Sequence, residues 1–97
     1  MKIKLHPKAQ IDLDEALRHY SKIDTSLEKK FISHLDKSFY KILKFPNLYQ
    51  YETKTTQKVL MDKFPYIIIY EQYQEIIMIL AIFHTSRNPI KLDDRVL

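Results

Sequence analysis

Phe64-Pro65-Tyr66-Ile67-Ile68-Ile69-Tyr70 is followed, after a short polar interval, by Ile76-Ile77-Met78-Ile79-Leu80-Ala81-Ile82-Phe83 and then by His84-Thr85-Ser86-Arg87-Asn88-Pro89. Two apolar runs of strand length joined by a few polar residues predict a hairpin at the centre of a sheet, with strands over 66–70 and 76–83. Both faces of these strands are apolar, as expected where helices cover one side and something else occupies the other. With a period of two, Ile76, Met78, Leu80, Ile82 and His84 share one face, and Ile77, Ile79, Ala81 and Phe83 share the opposite one.

Working outward, Lys2-Ile3-Lys4-Leu5 alternates polar and apolar residues like a short edge strand whose lysines face water. Pro7 suits the first turn of a helix, where a missing N–H costs nothing, and Leu13, Ala16, Leu17 and Tyr20 follow at helical spacing. Thr25-x-x-Glu28 has the form of a capping box opening a second helix, along which Leu27, Phe31, Leu35, Phe39 and Ile42 make the apolar stripe. Phe45-Pro46 ends that helix. About three residues between the helices predict an antiparallel helix hairpin. Residues 47–57 read as a loop entering a strand over 58–63. The fold expected is α+β in the order β-α-α-β-β-β: a two-helix antiparallel hairpin packed on a mainly antiparallel twisted sheet, with Leu35, Phe39, Ile79 and Phe83 between the layers. Tyr66 and Tyr70 lie on one side of the central strand, where packing is a simpler role than stacking on nucleic acid.

Ninety-seven residues suffice for one domain, spanning 1–97, that buries roughly 60–65% of its unfolded surface. Neither a signal-peptide pattern nor an apolar run long enough to span a bilayer is visible, so a cytoplasmic protein without membrane contact is expected. Without cysteine there is no disulfide or thiolate metal site, and His6, His19, His34 and His84 have no metal-ligand spacing, so no metal is expected. Glycine is also absent, which argues against a phosphate-binding glycine loop and any nucleotide cofactor. Chain reversals must then rely on Asn, Asp, Gln and Pro. No cofactor is expected. The net charge is +4, and it is uneven: residues 1–63 hold thirteen basic and eight acidic groups, residues 64–97 three and four. An acidic partner would therefore be drawn to the helices and the first hairpin strand, with salt-dependent affinity.

His84 and Arg87 form the sharpest candidate site. A histidine exchanges protons near neutral pH and an arginine holds phosphate or carboxylate with two donors, so the pair suits RNA cleavage or recognition of an acidic partner. The alternative is that His84 packs at the sheet end and Arg87 braces the turn at Asn88-Pro89. Lys54 and Lys58 share a strand parity and could join them on one face. On the second helix Lys30, Lys37, Lys41 and Lys44 fall mostly off the apolar stripe, giving a basic surface.

The chain resembles the RelE/ParE superfamily of toxins from type II toxin-antitoxin pairs, and its ParE-like members most. Ala9, Asp12 and Leu13 are similar to the family's AxxDL start, Phe31 and Leu35 fit its second helix, Pro46 fits the following turn, and residues 64–89 carry the strongest match. The resemblance implies a bacterial toxin that inhibits growth, neutralised by a cognate antitoxin and acting on DNA gyrase or, in the cleaving branch, on mRNA in the ribosome. For that branch Lys58, His84 and Arg87 are the candidate catalytic groups. However, Ile67 stands where RelE-type enzymes carry an arginine, Leu60 where another basic residue is expected, and Asp93-Asp94 where a late tyrosine is expected. Lacking those groups, the chemistry has no obvious base or phosphate clamp. The resemblance thus favours a non-catalytic toxin that binds a protein, with Lys37, Lys41, Lys54, Lys58 and Arg87 offered to partners.

Overall fold

In a computed structural model, which describes residues 1–86 and Arg95, the two apolar runs pair as the middle strands of a four-stranded sheet. The elements are β1 (Lys2–Leu5), α1 (Pro7–Ile23), α2 (Thr25–Lys44), β2 (Thr56–Leu60), β3 (Tyr66–Tyr73) and β4 (Ile76–His84). The sheet order is β1-β4-β3-β2; β1 runs parallel to β4 and the other neighbours are antiparallel. The expected α+β architecture is present. No helix among the described residues is long and apolar enough to cross a membrane.

Local chemistry sets the helix ends. Pro7 opens α1, and the His6 Nδ1 accepts the Lys8 N–H at 3.1 Å. The two helices are joined by Asp24 alone, not by about three residues. Its extended backbone (φ −166°, ψ 128°) ends α1 by donating its N–H to the Tyr20 carbonyl and starts α2 by accepting the Ser26 N–H at 2.9 Å. The expected Thr25 cap is therefore displaced by one residue, since a carboxylate in extended conformation reaches the second helical N–H directly. The Ser26 backbone N–H first, then its hydroxyl, and the Lys30 charge hold the Asp24 carboxyl below the usual carboxylate range. Phe45 ends α2 as expected.

Phe31, Leu35 and Ile42 from α2 and Ala9 and Ala16 from α1 pack on Val59, Tyr66, Ile68, Tyr70, Ile77, Ile79 and Ile82 of the sheet. Burying each large side chain contributes roughly 1.5–3 kcal/mol. The ring of Phe31 meets those of Tyr20, Phe64 and Tyr66 at centroid distances of 5.5, 5.2 and 5.1 Å. Tyr66 and Tyr70 are both core residues.

The β3–β4 register is interrupted: Ile69 faces Ala81 but Tyr70 faces Ile79, leaving Leu80 as an extra residue on β4. One inserted residue reverses the alternation beyond it. Ile77, Ile79 and Ile82 consequently share the helix side, while Leu80, Ala81 and Phe83 belong to a second cluster with Ile67, Ile69 and Met78 that includes no helix residue. Leu35, Phe39 and Ile79 lie between the layers as expected, but Phe83 stands on the opposite face because of this bulge.

Strand β2 starts at Thr56 and ends at Leu60, two residues earlier than expected at its start and three at its end. Lys63, predicted inside it, instead has φ 67° and turns the chain towards β3. Gln74, in the two-residue β3–β4 turn, has φ 54°. In a chain without glycine, a glutamine fills that left-handed position, as anticipated, and a lysine fills the other.

Candidate functional site

The β2 edge and the loop before it form a depression lined by Leu48, Tyr49, Lys58, Leu60, Ile67 and Thr85. Its floor follows from strand pairing: Leu60 lies opposite Ile67 and Lys58 opposite Ile69, so all four project from the side away from the helices. Leu60 is 66% exposed and Leu48 70%. The Lys58 ammonium is held by the Glu52 carboxylate at 2.8 Å. This partly exposed pair is worth ~0.2–1 kcal/mol, so Lys58 is tethered but can be drawn away by a stronger partner.

The wall of the depression is fixed from behind. The Pro46 carbonyl accepts the Tyr70 hydroxyl at 2.6 Å, the Gln57 side-chain amide at 2.8 Å and the Gln72 side-chain amide at 3.2 Å. Gln57 also donates to the Tyr49 carbonyl at 3.0 Å and accepts from Gln72 at 2.8 Å. Gln57 is buried, and its hydrogen bonds offset the cost of placing an amide there. Burial first, then the neighbouring Tyr49 and Tyr51, push the Tyr70 phenol up from 10.0 to about 12.

His84 is elsewhere. It pairs across the sheet with Tyr66, on the helix side, and its ring meets the Tyr66 ring edge-on at 5.3 Å. Its Nδ1 accepts the Ser86 N–H at 3.0 Å, which leaves Nε2 to carry the proton in the neutral ring. Lys58 and His84 thus occupy opposite faces of the sheet and do not converge. Lys54 lies in the turn preceding β2, where Glu52 and Thr53 donate to the Thr56 carbonyl, so the parity expected to bring it beside Lys58 does not operate. Arg87, with Asn88, Pro89, Asp93 and Asp94, lies outside the described residues.

A second surface runs along the outward side of α2. Lys37 and Lys41 line a shallow groove with Lys29, Ile32, Asp36 and Tyr40. Tyr40 is 62% exposed, and the Lys44 ammonium stands 5.8 Å from its ring centre and 5.6 Å from that of Phe45. The apolar members of this groove escaped the sequence reading, although Ile32 and Tyr40 lie two helical turns apart outside the inner stripe. Leu48 and Tyr49 were also missed because they sit in an aperiodic loop. Among the described residues no group of three or more His, Asp or Glu side chains converges to hold a metal.

The arrangement offers one basic groove with apolar members and one apolar depression with a tethered lysine; both suit recognition of a protein surface. A family model described as "ParE toxin of type II toxin-antitoxin system, parDE" matches residues 3–89. A solved structure described as "Chromosomal ParDE TA system from P. aeruginosa" superposes with a TM-score of 0.76 at 19% identity, covering 89% of this chain and 97% of its own. No curated protein matches by sequence.

Proposed function

The chain belongs to the ParE toxin family of type II toxin-antitoxin systems, and on that premise we propose that it inhibits bacterial growth by binding a protein target, with no catalytic group of its own. DNA gyrase is the target this reading names first. The observation that carries it is the Leu60–Ile67 pair: the two positions where the cleaving relatives would need cations are apolar neighbours on one sheet face. Two aliphatic side chains cannot stabilise the charge that develops on a phosphate during strand cleavage. They can fill an apolar contact on a protein. The separation of Lys58 from His84 by the thickness of the sheet supports the same reading.

The toxin works in the cytoplasm as a single domain and is silenced by a cognate antitoxin whose acidic, amphipathic segment folds on binding. Lys37 and Lys41 on α2, Lys54 before β2 and Lys58 on it, together with Arg87 further along the sequence, are the cations offered to partners. The α2 groove supports this role, because lysines flank exposed apolar side chains there.

Induction of the chain alone is expected to slow growth and block gyrase supercoiling while mRNA remains intact, and co-expression of the adjacent reading frame is expected to restore growth. His84→Gln should keep full toxicity. Codon-positioned mRNA cuts that vanish in His84→Gln would replace this proposal with a ribosome-dependent endoribonuclease using Lys58, His84 and Arg87.

A further inference from the structure

Strand β1 covers only part of β4. Its four residues pair with 76–79, and the last backbone bond on that side runs from the His6 N–H to the Ile79 carbonyl at 2.8 Å. Beyond it, the Leu80 carbonyl and the Ile82 N–H belong to a stretch of β4 that has no neighbouring strand on that side among the described residues. Such an edge offers ready hydrogen bonds to any other extended chain.

Two side chains stand where the next strand would be. An Asp12 oxygen accepts the Ile82 N–H at 3.0 Å, and an Arg95 guanidinium nitrogen donates to the Leu80 carbonyl at 3.1 Å. The same guanidinium grips Asp12 through both nitrogens, at 2.5 and 3.3 Å. Each side chain is 13% exposed. We propose that Asp12 and Arg95 form a clasp that closes the open portion of the β4 edge and prevents two copies of the chain from pairing there. The bulge at Leu80 belongs to the device: the extra residue turns a carbonyl outward next to the Ile82 N–H, so one acceptor and one donor are needed side by side. A carboxylate and a guanidinium held together supply both. This inference is independent of the target and the antitoxin.

Hydrogen exchange of the Ile82 amide, with sedimentation velocity, tests the clasp in the purified full chain. Arg95→Gln should speed Ile82 exchange about ten-fold or more through local opening, while the Ile68 amide in the middle of β3 keeps its rate. The same variant should self-associate as concentration rises. Asp12→Asn keeps the side chain's shape and an acceptor oxygen but loses the charge, so it should free Arg95 and associate as well. Exchanging the two residues (Asp12→Arg with Arg95→Asp) should fail to restore protection, because arginine has no acceptor for the Ile82 N–H. Rescue by that exchange would reduce the pair to a simple ion bridge and overturn the proposal. Unchanged Ile82 exchange in Arg95→Gln would overturn it too, as would variants that remain monomeric at every concentration.

Discussion

The two faces of the sheet are made from the same strands and differ in what they meet. On one, Val59, Tyr66, Ile68, Tyr70, Ile77, Ile79 and Ile82 pack under Phe31, Leu35 and Ile42 in a continuous core. On the other, Ile69, Leu80 and Ala81 are buried, but Ile67, Met78 and Phe83 are only partly so, and Leu60 is largely open to solvent. The first face carries the stability. The second keeps apolar side chains near the surface, where a partner can use them. The difference shows that an apolar strand residue says little about its role until its face is known, and that the face of Phe83 was decided by one extra residue at Leu80.

Urea unfolding breaks the comparison most directly. Phe31→Ala, which removes a ring touching three others, should cost about 3–5 kcal/mol, a large share of the roughly 5–15 kcal/mol holding a small domain together. Phe83→Ala on the opposite face should cost less than half as much; equal losses would mean the two faces contribute alike. Tyr70→Phe should cost about 1–2 kcal/mol by removing the hydrogen bond to the Pro46 carbonyl. It also has a pH signature. The folded phenol is raised to about 12 from 10.0, so the stability tied to its proton is complete below about pH 10 and is lost as pH rises towards 12. Stability in Tyr70→Phe should accordingly fall less steeply over that interval. Gln74→Gly should stabilise the chain by up to ~1 kcal/mol, since glycine accepts φ 54° without the steric cost a Cβ incurs. Smallest of all, Lys58→Ala should change stability by under ~1 kcal/mol and leave the urea midpoint nearly salt-independent. A larger loss would make the Glu52–Lys58 pair part of the core's support, rather than a tether at the depression.

Much of this fold could be read from residue patterns. The hairpin, the inner stripes of both helices, Pro7 at the start of α1 and Phe45-Pro46 at the end of α2 all depend on neighbours a few residues apart. The failures depend on partners farther away or on competition within a turn. Asp24 outcompeted Thr25 for the cap because its backbone is extended, a fact that adjacent sequence does not encode. Phe83 changed faces because register is a property of two strands together. Of the site, Leu60 and Ile67 were flagged one by one from a family resemblance, but that they are cross-strand neighbours needed the sheet. Asp12 and Arg95 could not have been linked by spacing at all, since they meet from opposite ends of the chain.

The parallel pairing of β1 with β4 has a consequence for the order in which the molecule is made. The helix hairpin, joined by a single residue, is a local structure that can form as soon as residue 44 is available, because closing so short a connection costs little entropy. Lys2 has no strand partner until Ile76 exists, and Leu5 none until Ile79 does. A nascent chain therefore carries its first strand unpaired and its helices' apolar stripes uncovered through most of its synthesis. The last third of the message completes the sheet, so a ribosome that stops early releases a fragment lacking β3, β4 and the depression that they and β2 complete.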